Sequence, residues 1–401
     1  MGPLNGIKVL DLSRVLAGPW AGQVLADMGA DVIKVERPDH GDDTRNWGPP
    51  FMTNMSGVPT REAAYFHCAN RAKRSITIDF ALRKGQDIIH ELLANTDILI
   101  ENYKSGTLAK YGLDFETLHQ NFPKLIYATI TGFGTNGPYK NRAGYDFMIQ
   151  GMAGLMSVTG EPSSDPQKVG VALTDVLTGL YTSNAILGAL YHREHSGLGQ
   201  HIDIALMDVA VACMANQAQN YLASGIAPKR MGNAHPNLVP YNVFRTSDGH
   251  IIIAVGNDKQ FAKLAQMMGQ KAWAVDPRFK TNAARIKNRE QLIGLMRQIL
   301  RTRRRDDWLS DLHDAGIPCG PINDMADVFA DKQVIARGLK VRIPHPELGP
   351  VSYVKSPINY SETKQEFNTP APRLGEHTKE ILKEIGYTAK QIDRLKQDGV
   401  L

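Results

Sequence analysis

Cysteine is scarce. Only Cys68, Cys213 and Cys319 occur in 401 residues. They are odd in number, far apart and never in a C-x-x-C, which excludes a disulfide framework and a thiolate zinc site and implies a reducing compartment. No stretch reaches eighteen consecutive apolar residues, so no membrane-spanning helix of ordinary length is expected. No basic segment leads into an apolar core near the start, so no secretory signal is expected and the cytoplasm is the default. Neither sign of charge dominates: 46 Lys and Arg stand against 41 Asp and Glu, a net +5. That is too little for the dense basic face of a nucleic-acid binder, yet it suits a few sites for phosphates or carboxylates. The densest basic cluster, Arg301 with Arg303, Arg304 and Arg305, runs into Asp306 and Asp307 and reads as a solvated helix junction. Hydrolase and metal signatures are missing too. There is no G-x-S-x-G and no H-E-x-x-H, and His192 and His195 have no carboxylates clustered with them, so no metal site is expected.

What is present reads as soluble and globular, with 42% hydrophobic and 22% charged residues. The length suits two domains or one large one. Segments 7–12, 31–36, 75–79, 97–101, 125–131 and 201–204 read as strands. Helices are expected over 20–28, after a break at Leu16–Pro19, and over 85–95, 176–193 and a buried 205–223. This alternation predicts an α/β fold with an open parallel sheet covered by helices. Residues 224–240 look like a linker. Asp248-Gly249 marks a hairpin that opens a smaller α/β domain over 241–325, with helices at 259–268, 289–301 and 306–315. Residues 326–401 follow as a tail with a helix near 376–385.

Three features bear on chemistry. Gly132-Phe133-Gly134-Thr135-Asn136-Gly137 fits G-x-G-x-x-G after a strand. A dinucleotide site also needs a helix to open at the third glycine, and Pro138 to Gly144 follow instead, so a glycine-rich turn is the plainer reading and a nicotinamide oxidoreductase the lesser alternative. Asp175, ahead of a long apolar run, reads as a helix N-cap. A carboxylate held anionic by a helix N-terminus is also a competent acyl nucleophile, and the two readings are compatible. Finally, Arg14, Lys34, Arg37, Arg45, Arg71, Lys73 and Arg74 follow strands or lie in loops. In open α/β sheets ligands bind beyond the carboxyl ends of strands, so Arg14 and Arg37 are placed to meet an anion, and the set together fits a phosphate-bearing cofactor.

These residues carry a resemblance. The opening Gly6-Ile7-Lys8-Val9-Leu10-Asp11-Leu12-Ser13-Arg14-Val15-Leu16-Ala17-Gly18-Pro19 resembles the family III CoA-transferases. So do Gly29–Glu36, Gly41–Arg45, Asn70–Ile76, Glu101-Asn102-Tyr103, Gly144-Tyr145-Asp146, the Asp175 segment and Pro372–Thr378, in order along nearly the whole chain. The family includes formyl-CoA:oxalate, carnitine-linked and succinyl-CoA:dicarboxylate CoA-transferases and the α-methylacyl-CoA racemases. The resemblance implies a Rossmann-like large domain with an inserted smaller domain, in an interlocked homodimer. It puts the nucleophile at Asp175. It puts CoA contacts at Val15, Leu16, Arg37, Ile78 to Ala81, Asn102, Tyr103 and Lys110, and sets Tyr145 and Asp146 by the reacting centre. Val255–Gln260, with Gly256, corresponds to a glycine-rich flap, here short of one or two glycines. The racemases carry His-Asp where this chain has Tyr145-Asp146, and a phenol is a poor general base at neutral pH, so CoA transfer is favoured over the racemase alternative. A silent CoA-binding protein is a further alternative, against which the intact Asp175 speaks. Arg230–Pro236 with Val239-Pro240-Tyr241 looks most like the dicarboxylate and oxalate branches. The expected substrates are therefore an acyl-CoA such as succinyl-CoA or acetyl-CoA and an acid such as glutarate or oxalate, with no permanently bound cofactor and no nucleic-acid or membrane partner.

Overall fold

The computed structural model describes residues 2–401. Six strands form the main sheet: β1 (Lys8–Asp11), β2 (Asp31–Glu36), β3 (Lys73–Thr77), β4 (Ile98–Glu101), β5 (Ile126–Thr131) and β6 (His201–Ala205). Their spatial order is β3-β2-β1-β4-β5-β6. Every neighbouring pair is parallel. Side chains alternate across the strands, so Val9 enters one apolar cluster with Leu25, Ile100 and Ile186, while Leu10 enters another with Ile88, Leu92 and Leu395. Both faces of the sheet are therefore covered, which is why the strands read as near-continuous apolar runs. The chain leaves β1 toward β2 on one side and returns as β4 on the other. Their carboxyl ends form the switch point at which doubly wound sheets take their ligands.

The chain divides into two compact units: one of residues up to Leu155, Val169–Gln219 and Gln333–Leu401, the other of Met156–Lys168 and Asn220–Lys332. The second unit is thus wider than 241–325. Its three strands, Tyr241–Arg245, His250–Ala254 and Cys319–Pro321, are antiparallel. Arg245 pairs with His250 across the Asp248-Gly249 turn. Helices Asp258–Met267, Arg289–Leu300 and Arg305–Asp314 belong to the same unit, with Phe244, Phe261, Trp308 and Leu312 in its core.

Several helices differ from expectation. The first runs over Ala17–Asp27. Gly18 and Pro19 lie inside its first turn rather than breaking the chain, since a first-turn N–H has no helical partner to lose. The expected helix 205–223 is two helices, Leu206–Ala212 and Ala215–Ser224, and the second buries no residue. Two helices, Thr378–Glu384 and Ala389–Gln397, end the chain. No helix among the described residues is long and apolar enough to cross a membrane.

Candidate active site

Two adjoining clefts open at the switch point, both within the first unit. The larger, about 380 Å³, is lined by Arg14, Arg37, His40, Ile78, Ala81, Lys104 and Tyr111 among others. The smaller, about 170 Å³, is lined by Val15, Leu16, Asn102, Lys140, Arg142, Tyr145 and Asp175. Arg14, Asp43, Tyr103 and Lys104 line both, so they run into one another.

The loop after β1 is fixed from below. Asn102 Oδ1 accepts from Arg14 N at 2.8 Å and its Nδ2 donates to Arg14 O at 2.7 Å. The Asn102 amide is thereby engaged in holding this loop. Val15 adopts φ 73°, a left-handed conformation costly for a β-branched residue, and its N–H points at Asp42 Oδ1, 3.3 Å away. Asp42 in turn is paired with Lys34 Nζ at 2.9 Å, and Lys34 donates to Ser13 O at 2.9 Å. Both ions are buried, and the Lys34 ammonium outweighs the burial that pushes the Asp42 carboxyl up, holding it below the usual carboxylate range.

Most of the expected anion-binding cations are consumed in this way. Arg45 pairs with Glu36 at 2.7 Å, Lys73 with Asp11 at 2.8 Å, Arg74 with Asp31 at 2.6 Å, and Arg71 with Asp27. These four and Lys34 are internal ties rather than ligand-facing charges. Arg14 does face the clefts, at 3.2 Å from Asp43 and with its guanidinium 5.3 Å from the centre of the Tyr103 ring. Arg37 lies exposed at the end of β2, with no ion-pair partner among the described residues. Lys104, Lys140 and Arg142 also line the clefts. They were missed because nothing in a loop sequence separates a cleft-facing cation from a solvated one. Lys110 lies in the turn Leu108–Tyr111 and lines neither cleft. Gly256 belongs to the second unit, where its N–H donates to Gln260 Oε1 at 2.9 Å and Asn257 caps the next helix. The flap residues are thus built into a helix start.

Asp175 is not the N-cap of its helix. The helix is Leu173–Ser196 and Asp175 is its third residue. The cap comes from Asp146, whose Oδ1 accepts from Thr174 N at 2.8 Å and lies 3.4 Å from Asp175 N. Gln150 holds the other oxygen, Nε2 to Oδ2 at 2.7 Å, and accepts from Val169 N at 2.9 Å. Nor is Asp175 held anionic by the helix dipole. Burial, and then the like charge of Asp146, push its carboxyl up to about 7. A nucleophilic role for Asp175 would require the carboxylate, and such a role predicts a kcat/KM that rises with pH through about 7. Asp146→Asn keeps a cap oxygen but removes the like charge, so this ascending limb should move to lower pH. A pH–rate profile that does not move would show that Asp146 has no electrostatic hold on Asp175.

The glycine-rich stretch after β5 does not open a helix. The next helix is Asp146–Met152, so the nicotinamide reading has no helix N-terminus at Gly137 to stand on.

The sheet order and the clefts at its switch point define a doubly wound α/β enzyme with a carboxylate in a cation-lined pocket. The chain belongs to CoA-transferase family III, whose family model matches residues 4–378. It is 50% identical over 387 residues to a succinate–glutarate CoA-transferase of Agrobacterium fabrum, covering 96% of each chain. It is 42% identical to the human succinyl-CoA:glutarate CoA-transferase, covering 100% of this chain and 90% of that protein. A crystal structure of a CaiB/BaiF family protein from Brucella suis superposes with a TM-score of 0.85 at 52% identity, covering 96% of this chain and 99% of that one. The protein is thus a CoA-transferase, an enzyme whose substrates are CoA thioesters.

Proposed function

We propose that this enzyme moves CoA from succinyl-CoA to a dicarboxylic acid such as glutarate, with Asp175 as the nucleophile. The observation that carries the reading is a half-buried carboxylate, Asp175, lining the smaller of two joined clefts, the larger of which is lined by Arg14 and Arg37. The names of the Agrobacterium and human relatives support the substrates. A CoA phosphate near Arg14 and Arg37 would leave the thioester within reach of Asp175, since the two clefts join.

In the proposed sequence an Asp175 oxygen attacks the thioester carbonyl. The C–S bond breaks, leaving an aspartyl–acyl anhydride and CoA thiolate. The thiolate then attacks the aspartyl carbonyl and releases the donor acid as its carboxylate, leaving an aspartyl–CoA thioester. The acceptor carboxylate runs the same two steps backward, so every step exchanges acyl groups of similar energy. Racemisation finds little support: it needs a second proton-transfer group beside Asp175, and the residue the same cleft offers where the racemases carry histidine is Tyr145, a phenol, which is a poor general base at neutral pH.

The reading extends to a homodimer. Helix Leu173–Ser196 leaves Leu180, Tyr181 and Tyr191 exposed at 44%, 46% and 71%, more large apolar surface than one helix usually offers to water.

The test is to trap the intermediate. Succinyl-CoA without acceptor should load one CoA per chain, and hydroxylamine should then mark Asp175 alone in peptide maps. A mark on a cysteine would replace this mechanism with a thiol one. A second outcome concerns Arg37. Arg37→Ala should raise the apparent KM for succinyl-CoA about tenfold and that for glutarate much less, because a lost phosphate contact costs about 1.5 kcal/mol. Equal effects on both substrates would make Arg37 structural.

A further inference from the structure

Gly132 and Gly144 close a loop at its neck. A methyl group on Gly132 would lie 2.6 Å from Gly144 Cα, and one on Gly144 would lie 2.5 Å from Gly132 Cα. Only a glycine pair lets the two backbones pass so closely. The loop between them is anchored as well. Gly134 N donates to Thr131 Oγ1 at 2.7 Å, and the Thr135 N–H donates to Asp203 Oδ2 at 3.1 Å. Phe133 packs against the core cluster, Tyr139 meets it edge-on at 5.5 Å, and the Arg142 guanidinium lies 3.8 Å from the centre of the Tyr139 ring. A stacked guanidinium keeps its N–H edge open, and that edge matches a carboxylate bidentately.

The loop therefore carries two exposed cations, Lys140 and Arg142, into the cleft that holds Asp175. Neither has an ion-pair partner among the described residues, unlike Arg14 with Asp43 in the same cleft. The Asp175 cleft is about 170 Å³, room for a small acyl group rather than a long chain.

We propose that Arg142, with Lys140 beside it, binds the distal carboxylate of the dicarboxylic substrate while its other carboxyl reacts at Asp175. Loop 132–144 is then the element that selects dicarboxylic over monocarboxylic acids. This rests on the CoA-transfer reading above. The anion is held by a planar cation that aromatic stacking has already oriented, so little ordering is left for binding to supply.

The first arm of the test compares glutarate with butyrate as acceptors. Arg142→Gln should lower the ratio of their kcat/KM values 10- to 100-fold, and Lys140→Gln should lower it less. A loss that is equal for both acids would overturn the assignment. The second arm needs neither a variant nor turnover. Phenylglyoxal modifies Arg142 in the resting enzyme, and peptide mass spectrometry reads the extent. Glutarate should slow that modification and butyrate should not. Absence of protection would overturn the proposal even in an enzyme that transfers CoA, whereas protection in an enzyme that fails to transfer would fault the transferase reading alone.

Discussion

Asp175→Asn should abolish CoA transfer and at the same time make the protein more stable above neutral pH. In the proposed mechanism Asp175 is the covalent nucleophile; an amide is none toward a thioester, and removal of such a group typically costs at least about 10³-fold in turnover. The stability gain follows from where the carboxyl titrates. Burial and Asp146 raise it to about 7 from the ordinary 3.8. A group whose folded value is raised contributes stability that is fully present below the unfolded value. That contribution is lost as the pH climbs through the folded one. Above about pH 7 the wild-type protein therefore holds an ionised, half-buried carboxylate next to another, and the Asn variant does not. The expected gain at pH 8 is about 1–2 kcal/mol, well short of the full shift because the cleft admits water to Asp175. It should vanish by about pH 3, below the unfolded value of 3.8, where the carboxyl is neutral in the folded and unfolded chain alike. Urea denaturation at the two pH values reads the difference. Substantial turnover by the Asn variant, without deamidation to Asp, would remove Asp175 from the chemistry. Equal stability of the two proteins at pH 8 would remove the strained carboxylate.

The six sheet strands were legible because each is a β-branched run bounded by a glycine or a charged residue, and their observed limits lie within two residues of those read from the sequence. Their order was not, since alternation of strand and helix implies parallel pairing without saying which strand sits beside which. The start of the Asp175 helix was misplaced for a related reason. Its cap is Asp146, 28 residues before Thr174, so no local signal marks the turn. The cations of the first half failed in another way. Lys34, Arg45 and Lys73 lie near strands or in loops of the half that binds an anion, and only the fold reveals that Asp42, Glu36 and Asp11 already neutralise them. Gly132 and Gly144 looked like turn residues because their collision is a contact between positions twelve apart.

Loss of the Lys73 ammonium is expected to be the most damaging change to stability in the first unit. Its three donors are all used: Nζ reaches Asp11 Oδ2 at 2.8 Å, Pro19 O at 2.8 Å and Asn70 Oδ1 at 3.0 Å. Neither Lys73 nor Asp11 is accessible to solvent. Burial pushes the Asp11 carboxyl up, but Lys73 and Lys34 outweigh it and keep the group ionised below the usual range. Gly22 of the first helix lies directly over the pair. A methyl there would come within 2.8 Å of Asp11 Oδ2, so helix and strand meet with no room for water to replace the ammonium. Lys73→Met fills the space but leaves Asp11 with one cation fewer and two oxygen acceptors unpaired. Breaking a buried pair from one side typically costs about 3–5 kcal/mol, and replacing both members costs far less. The urea midpoint of Lys73→Met should fall accordingly, with an unchanged slope. The double variant Asp11→Asn with Lys73→Met should be more stable than the sum of the single losses predicts, by about 2 kcal/mol. Because Asp11 also holds Ser13 N at 3.0 Å, the single variant should loosen the Ser13–Leu16 loop and weaken succinyl-CoA binding together with stability. Additive losses in the double variant, or a single loss below about 1 kcal/mol, would mean that the pair does not hold the first helix on the sheet.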